Sequence, residues 1–149
     1  MLLLGWSLRH PLWMLATLKA TSRTMRIVQE KFPYIHGKDN KANAFRHALW
    51  NCFIALKCFE LDTNLNTVLA WTKRITDWHE DFSPNSALPR TMDEHNNQIG
   101  REVFQQCRSK GEGELLRQVA FKVASAIQVS SMKELDQCLG NLVFINYDV

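Results

Sequence analysis

No window of this 149-residue chain supplies the roughly 20 consecutive apolar residues that a membrane-spanning helix needs, so no transmembrane segment is expected. Long like-charge runs and low-complexity stretches are missing too, which excludes a disordered tail on composition. The four cysteines, Cys52, Cys58, Cys107 and Cys138, lack the paired short spacing of a zinc ribbon or a redox dithiol. They fall within apolar helical patterns and read as reduced core thiols. Excess charge is small: a net charge of +3 and a pI near 8.7 permit contact with nucleic acid or an anionic membrane but give no specific nucleic-acid signal. A secretory leader is not expected either, because Met1-Leu-Leu-Leu-Gly-Trp-Ser-Leu8 has no preceding positive residue and runs into Arg9, His10 and Pro11. The expected compartment is the cytoplasm, with secretion or delivery as an effector as the alternative.

What is present is the balance of an ordinary globular protein, 46% hydrophobic and 22% charged. A chain of this length buries roughly two-thirds of its unfolded surface, so it needs neither metal nor disulfide to fold. Helical periodicity runs throughout, without repeats or linkers, and predicts one all-α domain over residues 1–149, a compact bundle of about five to six helices. Pro11 suits the first turn of a helix over 11–31, ended by Pro33. Asp39 or Asn40 caps a second helix over 41–60, and Asn64 or Asn66 a third that runs to about 80. The two prolines of Ser83-Pro-Asn-Ser-Ala-Leu-Pro89 make a loop, and the capping-box spacing of Thr91-Met-Asp-Glu94 starts the fourth helix, which runs to about 109. Leu115, Leu116, Val119, Ala120, Val123 and Ile127 predict a fifth. Ser131-Met-Lys-Glu134 opens a short sixth that stops at Gly140, and the strand-like tail from Leu142 to Tyr147 packs as an extended segment.

Chemistry concentrates in three places. In Asn43-Ala-Phe-Arg-His-Ala-Leu-Trp-Asn51, the residues Phe45, Leu49, Cys52, Phe53 and Leu56 form an apolar stripe, while Asn43, His47 and Asn51 sit four apart on a neighbouring face. His47 is thus framed by two amides: either a core histidine bonded to them, or a general base or metal ligand. In Asp77-Trp-His-Glu80, His79 and Glu80 stand at a helix end and can reach a cleft. Adjacent residues diverge by about 100 degrees, so a regular helix would not aim both at one metal, an objection that a helix end relaxes; a structural His79 favourable to the helix dipole is the alternative reading. In the fourth helix Asp93, Asn96, Asn97, Gly100 and Arg101 share one face. Tandem asparagines there are either solvated or functional, and Gly100 implies close approach of another helix or a ligand. Arg46 pairs with Asp77, Glu80 or Asp93, or faces an anionic substrate. His95 lies off this face, and His10 and His36 occupy terminal and loop contexts.

Taken together, Asn43-Ala-Phe-Arg-His47 with Trp50, then His79-Glu80, then Asp93 with Asn96-Asn97 and Ile99-Gly-Arg101, resembles an uncharacterised bacterial domain family, a domain of unknown function. Its members occur alone and at the C-terminal ends of large secreted or polymorphic-toxin-like proteins. The similarity covers roughly residues 9 to 105. It implies that Asn43, Arg46, His47, Trp50, His79, Glu80, Asn96, Asn97, Gly100 and Arg101 form one site, and it brings no settled activity with it.

The expected function is a small helical hydrolase acting on a phosphoester, lipid or glycan. His47 serves as general base or ligand, Glu80 as acid/base or ligand, and His79 assists. Asn43 and Trp50 contact substrate, Asn96 and Asn97 orient it or stabilise an oxyanion, and Arg101 or Arg46 holds a negative group. A divalent metal, zinc by ligand type, has His47, His79, Glu80 and Asp93 available. The alternative is a non-catalytic helical module whose polar groups form a buried network, or an adaptor or immunity-type protein that meets a protein partner through Trp6, Trp13 and other aromatics.

Overall fold

The computed structural model of the chain describes residues 5, 8–34 and 38–146. Trp6, His36, Gly37 and Tyr147, and most of the apolar start, lie outside the described residues. Five helices carry the fold: α1 (Pro11–Lys31), α2 (Lys41–Phe59), α3 (Leu65–Asp81), α4 (Ala87–Cys107) and α5 (Glu112–Ala124). A one-turn 3-10 segment (Arg108–Lys110) links α4 to α5. The strand β1 (Ile127–Gln128), a single-turn α6 (Met132–Leu135) and β2 (Val143–Phe144) complete the chain. The architecture is the expected all-α bundle, and no helix among the described residues is long and apolar enough to cross a membrane.

The bundle is wrapped around α2. Ala44, Phe45, Ala48, Leu49, Cys52, Phe53, Ile54, Ala55 and Cys58 are all buried, so apolar side chains point from α2 in nearly every direction. A helix of that kind is stable only when it is surrounded, and α1, α3, α4 and α5 all pack against it. Its start is set by Asn40, whose side-chain oxygen accepts from the Asn43 backbone N–H at 2.9 Å; Asn64 caps α3 in the same way at 3.1 Å. Aromatic donors tie α1 to its neighbours, with the Trp50 indole donating to Thr21 at 2.8 Å and that of Trp71 to Thr17 at 3.1 Å. The four cysteines are free thiols, three of them buried.

Three expectations of local structure are corrected. The fourth helix begins at Ala87, with Ser86 as its cap, rather than at Thr91. Pro89 falls in the first turn, where its missing N–H has no intrahelical partner to lose; Thr91 is inside the helix, its hydroxyl donating back to the Ala87 carbonyl at 2.9 Å. Ile127 belongs to β1 and not to α5, which ends at Ala124. The tail finds a partner there, with Ile127 and Gln128 running parallel to Val143 and Phe144. Beneath this two-residue pairing Met92, Val129, Leu135, Cys138 and Val143 form a second, smaller core against α4.

Candidate functional site

A close crossing of two helices fixes the geometry of the site. Gly100 of α4 lies so near the backbone of Ala48 in α2 that a Cβ built on it would stand 2.2 Å from the Ala48 oxygen. At this crossing the face of α2 carrying Asn43, His47 and Asn51 meets the face of α4 carrying Asp93, Asn97 and Arg101. The last turns of α3 close the third side with Thr76 and Glu80. Asn43, His47, Asn51, Thr76, Glu80, Asp93 and Asn97 are all buried.

His47 sits at the centre. Its Nδ1 is 3.1 Å from Asn97 Oδ1 and 3.6 Å from Glu80 Oε1, and its Nε2 is 3.3 Å from Asp93 Oδ1. Asn97 Nδ2 donates to Glu80 Oε1 at 3.1 Å, and Asn51 Nδ2 donates to Asn97 Oδ1 at 2.7 Å. Asn51 Oδ1 in turn accepts from Arg101 Nη1 at 2.9 Å and from Thr76 Oγ1 at 3.4 Å. On the other side Asp93 accepts from Asn43 Nδ2 at 2.8 Å and from Asn85 Nδ2 at 3.3 Å, and Arg46 donates to Asn43 Oδ1. One oxygen in this cluster is left out: Glu80 Oε2 is buried and has no hydrogen-bond partner.

Burial dominates the electrostatics. Desolvation, helped by the Arg46 guanidinium, pushes the His47 pKa down to about 4 and keeps the ring neutral at physiological pH. Desolvation also raises Asp93 to about 6 and raises Glu80, whose burial outweighs the attraction of His47. His79 is lowered by partial burial and then by Arg46. Arg101 is lowered by burial, against the opposing pull of Asp77 and Glu102.

Two cavities of about 280 Å³ each meet at Arg46, His47 and His79. One is mostly apolar, walled by Thr21, Thr24, Met25 and Trp50. The other is polar, walled by Lys38, Asp39, Asn43, Asn85 and Asp93 among others. Exposed His79 packs edge-on against Trp50, with ring centroids 5.2 Å apart, and lies 6.4 Å from the His47 ring.

Of the residues expected to share a site, Asn43, Arg46, His47, Trp50, His79, Glu80, Asp93 and Asn97 come together. Arg101 reaches the cluster only through Asn51 and Thr76. Asn96 does not join it: its amide donates to the Val143 carbonyl at 2.9 Å and its oxygen accepts from the Val143 N–H at 3.0 Å, which straps β2 to α4. His95 is bonded to the Asn141 carbonyl at 2.8 Å, also outside the site. Among possible metal ligands, His47, Glu80 and Asp93 each offer an atom within 4.8 Å of the others, and His79 is not of that set. The sequence reading missed Thr76 and Asn85. Thr76 stands one turn before Glu80 and was legible from that spacing, whereas Asn85, in the two-proline loop, carried no periodic signal.

Residues 4–127 match a family model described as a domain of unknown function (DUF6973). The chain belongs to this family. The matched span takes in α1 to α5, and with them every residue of the cluster from Asn43 to Arg101, while β2, which Asn96 straps to α4, falls beyond its end. No curated protein and no solved structure matches the chain.

Proposed function

We propose that this domain is a small helical hydrolase of lipid-borne phosphoesters, with its reaction centre where the two cavities meet. The observation that carries the reading is that junction: an apolar and a polar cavity share Arg46, His47 and His79, with Asp93 in the polar wall. An amphipathic substrate fits such a pair, its acyl part along Met25 and Trp50 and its phosphate beside Arg46 and Lys38. Thr24, in the apolar wall, also has a buried hydroxyl with no partner that a ligand oxygen would satisfy. The outer side of α1 supports delivery from a lipid surface. Leu12 and Leu15 are exposed on it, as is Leu8 just before the helix, Lys19 and Arg26 continue the strip of α1, and Met25 beside it reaches the cavity.

In this reading a water in the polar cavity attacks phosphorus and gives a proton to the Asp93–His47 edge. The ester P–O bond breaks with its electron pair on the leaving oxygen, which takes a proton from His79. A bound phosphate beside His79 raises the pKa that burial has lowered, so the imidazole is protonated when it is needed. The test is phosphorus NMR of phospholipid vesicles incubated with the full chain, alongside soluble phosphodiester and glycan substrates. Hydrolysis of the lipid is expected, falling at least a hundredfold in Asp93→Asn while its melting temperature stays within a few degrees of wild type. No turnover of the lipid by wild type, or an Asp93→Asn enzyme as active as wild type, refutes the reading.

A second reading, a non-catalytic module held by a buried polar network, is favoured by the inner half of the cluster. There Arg101, Thr76, Asn51 and Asn97 satisfy one another and face neither cavity. It requires that Asp93→Asn change stability alone.

A further inference from the structure

The direction of every hydrogen bond in the inner network is fixed by its two ends. A guanidinium only donates, so the Asn51 oxygen must face Arg101; the Asn51 nitrogen then donates to the Asn97 oxygen. A carboxylate only accepts, so the Asn97 nitrogen faces Glu80. The two ends agree, and neither amide can be flipped without placing donor on donor. The nitrogen of His47 that meets the Asn97 oxygen must therefore carry the hydrogen, which makes the ring the Nδ1–H tautomer and leaves a lone pair on Nε2.

That lone pair faces Asp93 Oδ1 at 3.3 Å, an acceptor against an acceptor in a buried setting. Oδ1 already accepts from Asn43, and Oε2 of Glu80 is buried without any donor. His47, Asp93 and Glu80 each bring a ligand atom within 4.8 Å of the others, Glu80 approaching the ring from its Nδ1 edge with Oε1 at 3.6 Å. A histidine whose Nδ1–H is held by a protein acceptor while Nε2 points at a carboxylate, here Asp93, is arranged as metal-ligating histidines are, with the partner of the first nitrogen orienting the second.

We propose that Nε2 of His47, Asp93 and Glu80 bind one divalent transition cation, zinc or manganese. Adjacent ligands of such an ion, each about 2.1 Å from it, stand about 3.0 to 3.4 Å apart. The His47–Asp93 separation is of that size; Glu80, within 4.8 Å of the other two residues' ligand atoms, closes on the ion by a turn of its side chain, whose Oε2 is held by no hydrogen bond. One imidazole with two carboxylates selects these ions over calcium, which takes six or more oxygens. His47 and Asp93 both line the polar cavity, so solvent or substrate oxygen completes the coordination from that side. The site stands on hydrogen-bond polarity and the spacing of its ligands, independently of any turnover, although it lies at the edge where the hydrolase reading puts its water.

The test is titration of chelator-treated full-length protein with Zn²⁺ by calorimetry and with Mn²⁺ by electron paramagnetic resonance, beside nitrogen-15 NMR of the histidine rings. The expected result is one equivalent bound, Ca²⁺ at least tenfold weaker, a melting temperature raised by several degrees, and His47 as the Nδ1–H tautomer before metal. Asp93→Asn and Glu80→Gln, close to isosteric, should each weaken binding at least tenfold. Absence of stoichiometric binding by wild type, unchanged binding in both variants, or an Nε2–H tautomer overturns the proposal. Binding without turnover of any phosphoester keeps this site and removes the hydrolase; phospholipid turnover that survives chelation, with no stoichiometric binding, does the reverse.

Discussion

Replacing Gly100 by alanine tests how the site is held together. The added methyl would lie 2.2 Å from the Ala48 oxygen, 2.8 Å from its Cα and 2.9 Å from its carbonyl carbon, all backbone atoms of α2. No side chain can swing aside, so the two helices must part by about 1 Å to restore ordinary contact distances. Parting them stretches the contacts that span the same crossing: Cys52 Sγ to the Gly100 carbonyl at 3.0 Å, Asn51 to Asn97 at 2.7 Å and His47 to Asn97 at 3.1 Å. Overpacking of this kind costs roughly 1 to 3 kcal/mol, and each weakened buried hydrogen bond adds about 1 kcal/mol. Alanine returns about 1 kcal/mol through its better helix propensity. The net loss is about 3 to 5 kcal/mol, or a melting temperature lower by roughly 6 to 20 °C for a domain of this size. Gly113 is the control, because a Cβ there meets nothing within 4 Å; Gly113→Ala should stabilise by about 0.5 kcal/mol. Differential scanning calorimetry of the two variants decides the matter. A Gly100→Ala protein that melts at or above wild type would refute the close-crossing argument.

Asn96→Ala removes both bonds to Val143 and should destabilise by about 2 kcal/mol in urea while leaving the His47 cluster intact. Faster exchange of the Val143 amide would localise the loss, and an unchanged urea midpoint would contradict it. Stability against pH should separate His47 from Asp93 in chelator-treated protein. Folding lowers the His47 pKa from 6.5 to about 4, so the unfolded chain binds more protons in that window and this contribution rises with pH. Folding raises Asp93 from 3.8 to about 6, so the folded protein binds more protons there and its contribution falls with pH. The two oppose each other in wild type. Relative to wild type, Asp93→Asn should therefore gain stability as pH rises from about 4 to 6, and His47→Gln should lose it; offsets that do not change with pH would count against both shifts.

Helix limits were legible wherever a local stereochemical signal coincided with the end of a periodic run. Pro11 and Pro33 bracket α1, and Asn40 and Asn64 cap α2 and α3 through their own side chains. The start of α4 was misread because Thr91 and Glu94 have the spacing of a cap while Pro89 looks like a barrier. Proline is a barrier only after the first turn, and position three of a helix lies within it. The pairing of β1 with β2 was invisible for another reason. Two-residue strands are too short to show alternation, and Ile127 extends the apolar period of α5 by one more turn even though the chain has left the helix.

The site was legible in one dimension and hidden in the others. Spacing of four placed Asn43, His47 and Asn51 on one face of α2, and Asp93, Asn97 and Arg101 on one face of α4. It did not say that these faces meet; Gly100 was the single residue that pointed to a crossing, because glycine in mid-helix is tolerated where a backbone must come close. Nor could spacing separate the tandem asparagines. Neighbouring positions diverge by about 100 degrees, so Asn97 turns to His47 while Asn96 turns to the tail, and only the tertiary fold assigns which is which. Arg101 shows what sequence reasoning about charge leaves out. Its guanidinium faces two neutral acceptors, Asn51 and Thr76, and through the first it sets the orientation of two amides and the tautomer of an imidazole one link further on. Arg101→Leu removes only one end of this order. The Glu80 carboxylate still takes the Asn97 nitrogen, and the His47 carbonyl still accepts from Asn51 Nδ2 at 2.9 Å, so flipping either amide would set acceptor against acceptor. The Nδ1–H tautomer of His47 should therefore survive Arg101→Leu, while the buried Asn51 oxygen loses its charged donor and the fold loses stability; a histidine-ring NMR spectrum that shows Nε2–H in this variant would refute the two-ended order.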